Sequence, residues 1–461
     1  MYMALWPLVV TLCICFQAER GIFDSLSYLS LFRQLKRPKA ARDHEDSVRS
    51  EKQTLFVLIP VFKEQKIIED GLLNFCKIQS PHFEIKIAIV ATIRETSRRP
   101  VAGIPTTEEM VARSMSSGKL SAYRNRIYIF RETEARGNMA TQLNHAIRKI
   151  KSLSPADTFF LVYNADSIIS DTTFSELAEL MEQHPSKGFA FQEPCAFVRD
   201  MHPNSNRFTN ALSLYQSWYC LGHESRLIRA YHRKTEKHWG RKDGRKLGVI
   251  VGHGSGMTLS INTSSGGYPS DLLTEDLTFA FILSARGAPI LSLPALEIAD
   301  VPDNFLSFIK QKSVWFWNIL SYASCYQKML NEGHSRARLI PLLIQGLGWG
   351  AYWFFDTFFV IVPFIISAML GSYWLALLAM ASFLIFYIIS QYFLLKKLPA
   401  TLRSQGFPQF AQNVEAVSFI NILPTLCLII LTNSVGAWVA TLKGIGYLCT
   451  GKLPTKYKTG D

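Results

Sequence analysis

Four stretches of this chain carry residue types that could do chemistry. The first is an apolar run, Phe159 to Tyr163, that ends in Asn164, Ala165 and Asp166. A carboxylate at a strand exit can coordinate a hard cation, since Mg2+ is held by one or two carboxylates together with substrate phosphates. Many strands also simply end in Asp. The second stretch is Leu272 to Gly287, where Thr274 predicts a helix cap and Gly287 a stop. Glu275 and Asp276 then fall in the first turn, either to meet the helix dipole or for one of them to serve as general base toward a hydroxyl. The third is "VLIPVFKEQ", a strand ending at Pro60 and Val61 with Glu64 opening the next helix, where it favours the helix start or meets a nucleotide. The fourth is "FIKQKSVWFWNIL". Its Gln311 and Trp315 stand either at a membrane interface or on a platform for sugar rings. The loop "GHGSGMTLS" brings backbone close to a ligand at Gly254, and His253 reads equally as structural or catalytic.

The elements that must position these residues follow a regular rhythm. Strand-like runs occur at Thr54–Val61, Ile85–Ala91, Arg126–Phe130, Phe159–Tyr163 and Phe189–Gln192. Helical patterns at Glu64–Ile78, Thr107–Ser117 and Asn138–Leu153 separate the first four. Strands alternating with helices predict an α/β fold with a mainly parallel sheet, whose ligands bind beyond the carboxyl ends of the strands. Asp166 sits at such an end.

The 461 residues allow two or three structural units. A formal charge of +13 favours anionic partners: phosphorylated substrates, lipid headgroups or nucleic acid. From Leu339 to Leu395 the only charge is Asp356, a run long enough for two crossings at about 20 residues each. A further apolar segment, Val414 to Leu442, either dips in as a hairpin, lies in the interface or crosses once. Met3 to Phe16 reads as a short retained anchor rather than a signal peptide, because no positive charge precedes it. Basic clusters at Arg33–Arg42, Lys396–Arg403 and Lys443–Lys458 are predicted on the cytoplasmic side. The basic stretch from Arg226 to Lys246 is read as a solvated loop or as a grip on lipid headgroups or a phosphorylated acceptor. Eight scattered cysteines show no zinc spacing and read as reduced packing residues.

In order, these pieces resemble the membrane-embedded family 2 glycosyltransferases, which include the cellulose, chitin and hyaluronan synthases and ceramide glucosyltransferase. "IPVFKE" matches the opening strand motif, "NADS" the D-x-D, "TED" the base motif and "QKSVW" the Q-x-x-R-W; the tail "GKLPTKY" is similar to a W-x-K-T-x-R ending. The resemblance covers about Thr54 to Trp317 with the flanking membrane segments. It implies a nucleotide-diphospho-sugar transferase domain (GT-A) joined to an α-helical transmembrane region. It further implies Mg2+ or Mn2+ on Asp166, catalysis by Asp276 with Glu275, donor binding by Pro60, Glu64, Asn144, Asn164 and Asp166, and acceptor binding by His253, Gly254, Gln311 and Trp315. The partners implied are a nucleotide-diphosphate sugar, a glycan or lipid-linked acceptor and membrane lipids, with no nucleic acid.

The chain departs from the family pattern at Asn164 for the first acid of D-x-D, at Asn138 for a lysine, at Val314 for the arginine of Q-x-x-R-W, and at Ala91-Thr92 for an acidic pair, with Glu95 the nearest acid. The expected activity is inverting sugar transfer for polysaccharide or glycan synthesis, from a cytoplasmic domain on an inner or plasma membrane. The competing reading is a non-catalytic GT-A scaffold of a glycan assembly complex. The expected division is an anchor at 1–20, a basic linker or interfacial helix at 21–53, the catalytic domain at 54–300, interface helices at 301–338, a transmembrane region at 339–448 and a cytosolic tail at 449–461.

Overall fold

The computed structural model describes residues 2–36, 52–97, 104–134, 137–154, 158–184, 188–237, 246–272 and 274–450. The predicted basic residues Arg37, Lys39 and Arg42 and the tail from 451 onward lie outside them. Seven strands form the main sheet: β1 (Gln53–Pro60), β2 (Phe83–Thr92), β3 (Ile127–Glu132), β4 (Phe159–Val162), β5 (Ala190–Gln192), β7 (Ser255–Thr258) and β8 (Ile290–Ser292). Their order is β3-β2-β1-β4-β7-β5-β8, and every pairing is parallel except those of β7 with β4 and β5. A small parallel pair, β6 (Cys195–Ala196) with β9 (Glu297–Ile298), lies beside it.

Helices α2 (Ile68–Lys77), α3 (Thr107–Ser117), α4 (Met139–Leu153) and α5 (Asp171–Gln183) connect or flank these strands. Capping boxes start α3 at Thr106 with Glu109 and α4 at Asn138 with Thr141. Helices cover both faces, so β1 reads as an unbroken apolar run in which Leu55 to Ile59 are all buried. Alternate residues feed two cores: Leu55, Val57 and Ile59 one, Phe56 and Leu58 the other. Each such side chain contributes about 1.5–3 kcal/mol.

Helix α1 runs unbroken from Tyr2 to Leu35 rather than ending near Phe16. The predicted anchor looked short because Gln17, Arg20 and Asp24 are polar, yet all three are buried against other helices. Arg20 pairs with Asp356, which also accepts from Tyr387 Oη (2.8 Å) and Asn433 Nδ2 (3.0 Å). Next come α6 (Arg207–Trp218), a π-helical turn at Tyr219–Glu224, and α7 (Ser225–Lys237). Over its described part the basic stretch from Arg226 is a helix rather than a loop, and two of its arginines are turned to α1. Arg226 bonds Glu19 at 2.9 Å and Arg229 donates to the Ser27 carbonyl at 2.5 Å, so α7 holds α1.

Helix α8 (Asp276–Arg286) leads to α9 (Phe305–Asn331) and then α10 (Arg336–Met369). Beyond them are α11 (Tyr373–Phe383), α12 (Ser390–Ser404), α13 (Phe419–Leu431) and α14 (Val435–Thr450). Among the described residues, four helical stretches are long and apolar enough to cross a membrane: Trp6–Leu35, Arg336–Met369, Tyr373–Ser404 and Phe419–Tyr447. All eight cysteines are unpaired.

Candidate active site

Asp166 lies on the turn that follows β4, where the Asn164 carbonyl accepts from Ser167 N at 3.2 Å. Two residues on, Ile168 and Ile298 exchange backbone hydrogen bonds of 2.9 and 2.8 Å in an antiparallel bridge. That register sets residue 166 opposite residue 300. Asp300 accordingly hydrogen-bonds Asp166; burial and then the charge of Asp166 hold the Asp300 carboxyl well above the usual range. Arg199 donates to the Asp166 carbonyl at 3.0 Å and stands 3.9 Å from Asp300 Oδ2. Sequence reasoning passed over Asp300, because "EIADVPDN" has neither helical nor strand periodicity and only the cross-chain bridge reveals its partner.

A second group is built under the loop after residue 250. Gln192, at the end of β5, accepts from Val251 N (2.8 Å) and donates to the His253 carbonyl (2.9 Å). Gly252 N donates to Asp276 Oδ2 at 3.1 Å. His253 Nδ1 lies 2.9 Å from Glu297 Oε2, and Ser167 Oγ donates to Glu297 Oε1 at 2.5 Å. Gly254 has φ +61°, and a Cβ there would stand 2.4 Å from Glu297 Oε2, so only glycine fits. Beside it Glu193 accepts from Tyr163 Oη (2.5 Å) and Thr173 Oγ1 (2.8 Å).

These contacts form one chain of touching groups: Asp276, Gly252, His253, Glu297, Ser167, and the turn bearing Asp166 opposite Asp300. Asp276 thus adjoins the His253 loop through Gly252. The helix start differs by one residue, however. Glu275 is the N-cap residue of α8 and makes no side-chain cap bond, while the Thr274 carbonyl accepts from Thr278 Oγ1 at 2.7 Å. Only Asp276 lies in the first turn; Glu275 is buried.

The other predicted residues divide. Pro60 ends β1 beside Val90. Glu64 sits on a turn four residues ahead of α2, with its N–H donated to Thr107 Oγ1 at 2.9 Å, because the helix starts only at Ile68. Asn144 holds the loop at Tyr268: its amide bonds the Tyr268 carbonyl (2.8 Å) and N–H (2.9 Å). Glu95 accepts from Thr107 N and Oγ1 at 2.8 and 2.9 Å and so secures the start of α3. Gln311 accepts from Gln216 Nε2 at 2.7 Å, and Trp315 packs half-buried beside Lys312.

Two residue sets could hold a metal. Cys195, His253 and Glu297 offer atoms within 4.8 Å of one another. Burial pushes the Cys195 thiol up, against ligation, and the other two already bond each other. Asp166 and Asp300 instead present hard oxygens at the sheet's carboxyl end, which suits Mg2+ or Mn2+.

The mainly parallel sheet and its helices are joined to apolar helical stretches. Residues 159–393 match the sequence model of glycosyl transferase family group 2, about half of the chain, and the chain belongs to that family. Its members are enzymes. No curated protein matches the chain. Among solved structures it is similar to the mannosyltransferase PcManGT from Pyrobaculum calidifontis in complex with GDP-Man and Mn2+. That match has 15% identity, covers 92% of this chain and 99% of that one, and has a TM-score of 0.41. It is also similar to S. aureus TarS 1–349, at 13% identity, 86% and 92% coverage and a TM-score of 0.37.

Proposed function

We propose that the chain is an inverting membrane glycosyltransferase that moves a sugar from a nucleotide-diphosphate sugar to a hydroxyl of a glycan or lipid-linked acceptor. The observation that carries this is the unbroken chain of contacts from Asp276 to Asp166 and Asp300. It joins a carboxylate suited to take a hydroxyl proton to a pair of carboxylates suited to a metal-bound diphosphate. Asp276 takes the acceptor proton, and the freed oxygen attacks the anomeric carbon as the bond to the nucleoside diphosphate breaks on the opposite face. The Gly252 N–H fixes the base by holding Oδ2, leaving Oδ1 toward Leu277 N at 2.7 Å. Asp166 and Asp300 would hold a divalent cation, Mg2+ or Mn2+, which offsets the charge of the diphosphate. Pro60, Glu64 and Asn164 border the donor; His253, Gly254, Gln311 and Trp315 border the acceptor.

Basic residues at the catalytic ends of the apolar stretches support a cytoplasmic domain: Arg33, Arg336, Arg338, Lys396, Lys397 and Arg403. A Cβ on Gly436 would stand 2.4 Å from Lys312 Cβ, and one on Gly444 would stand 3.2 Å from Leu320 Cδ1. Helix α14 therefore runs beside α9, which supports the reading of Val414 to Leu442 as an interfacial or dipping segment.

A panel of nucleotide sugars tests this reading through release of nucleoside diphosphate by the purified protein. Release should need Mg2+ or Mn2+ and stop in excess chelator. Asp276→Asn keeps an oxygen for Gly252 N and should lower transfer by about 10²–10⁴-fold. Transfer within about tenfold of wild type in that variant would remove Asp276 from the role.

A further inference from the structure

Lys312 stands on α9 one residue beyond Gln311, and its side chain is fully buried. Its ammonium lies 4.4 Å from the ring centre of Trp315 and 5.0 Å from those of Tyr219 and Trp353. Tyr215 and Phe308 follow at 5.7 and 5.8 Å. The rings attract the charge through their faces but accept none of its three N–H groups. Nζ has no hydrogen-bond partner among the described residues. Trp353 Nε1, in one of the caging rings, is a second buried donor without a partner among them. Native proteins seldom leave such groups unmet, and a desolvated ammonium is among the costliest to leave so.

The site is held in place. The close approach of α14 at Gly436 pins the stem of Lys312, so the ammonium has no route out to solvent along that side. Tyr219 comes from the π-helical turn Tyr219–Glu224, a distortion that often marks functional positions. Gln216 reaches Gln311 with its Nε2 at 2.7 Å.

A neutral sugar hydroxyl would bring no charge to the ammonium, on which Glu224 and Asp356 act through space but without a hydrogen bond. An anionic oxygen group would meet both the charge and the donors, and lysine serves phosphate as a compact point charge. We propose that Lys312, Trp353 and the surrounding rings bind a phosphate group of the acceptor, which places the acceptor's anionic end at the membrane face of α9. This rests on the reading of α9 as the acceptor side.

The test uses the full-length protein in neutral detergent, with Trp315 and Trp353 as intrinsic fluorescence probes. Short-chain phosphatidic acid is titrated in one arm, inorganic phosphate in a second and the matching diacylglycerol in a third. A saturable change with phosphatidic acid is expected, weakened roughly tenfold or more in Lys312→Met and retained within about threefold in Lys312→Arg. Saturation by phosphatidic acid alone assigns a lipid headgroup; saturation by inorganic phosphate as well assigns the phosphate group from either source. Lys312→Met should also melt higher than wild type without ligand, because the unmet charge is gone. No saturation in either phosphate arm, an equal response to diacylglycerol, an unweakened response in Lys312→Met, or a lower melting point in that variant would each overturn the site. The titration contains no nucleotide sugar, so it can fail while metal-dependent release of nucleoside diphosphate succeeds, and the reverse.

Discussion

Raising the pH from 6.5 to 9 should loosen the loop that presents Gly252 to Asp276. Burial disfavours the His253 imidazolium, but the charge and hydrogen bond of Glu297, with Asp166 and Glu224, raise its pKa from 6.5 to about 9. The folded chain therefore keeps this proton across a range where the unfolded chain has lost it. Folded protein binds more protons there, so the contribution is whole below pH 6.5, shrinks as pH rises and is gone above about 9. At 1.36 kcal/mol per tenfold, the interval is worth about 3 kcal/mol. With about 2–4 °C per kcal/mol for a domain of this size, the melting point at pH 9 should lie about 6–12 °C below that at pH 6.5. Glu193 adds to the fall over a lower range: burial, then Glu297, raise it from 4.5 to about 8, so it too keeps a proton the unfolded chain has released. Tryptophan-detected melting in one detergent across this range is the assay. His253→Gln should flatten the upper part of the slope, and adding Glu193→Gln should flatten it further, leaving the part that Asp300 contributes. A wild-type melting point constant within about 2 °C, or an undiminished slope in the double variant, would refute the assignment of the protons.

Three further outcomes are expected. Asp300→Asn should raise the Mn2+ concentration for half-saturation roughly tenfold or more, read by electron paramagnetic resonance of free Mn2+ without any turnover; unchanged affinity would leave Asp166 as the sole carboxylate. Gly254→Ala combines a left-handed backbone with a Cβ at 2.4 Å from Glu297 and should destabilise by about 1–3 kcal/mol, seen as a lower melting point. Arg20→Met strands Asp356 among apolar helices and should cost about 3–5 kcal/mol, while Arg20→Met with Asp356→Leu should recover most of it.

The parallel strands and their helices were legible because their signals are local: unbroken apolar runs for strands covered on both faces, and a cap followed by period-3.6 residues for α3 and α4. The antiparallel β7 was not. "SGMT" has a glycine, two hydroxyl residues and one apolar side chain, and it is a strand only because β4 and β5 flank it. Helix α1 was underestimated for the same reason in reverse. Gln17, Arg20 and Asp24 read as the end of an apolar segment, and only partners more than 300 residues away in α10, together with α7 and its preceding turn, make their burial affordable.

The site follows the same division between local and distant. Asp166 and Asp276 could be found because each ends or begins an element, where side chains project at the sheet's edge. The contact of Asn144 was not legible, because a helix face says nothing of which loop it meets, and here Tyr268 meets it through both amide atoms. Asp300 could not be found from spacing at all, since its role depends on the register of Ile168 with Ile298. That register also bears on the asparagine at position 164. Where the family pattern has a second acid in the tripeptide, this chain sets Asp300 opposite Asp166 from the facing strand, so a pair of acids is drawn from two parts of the chain instead of one tripeptide.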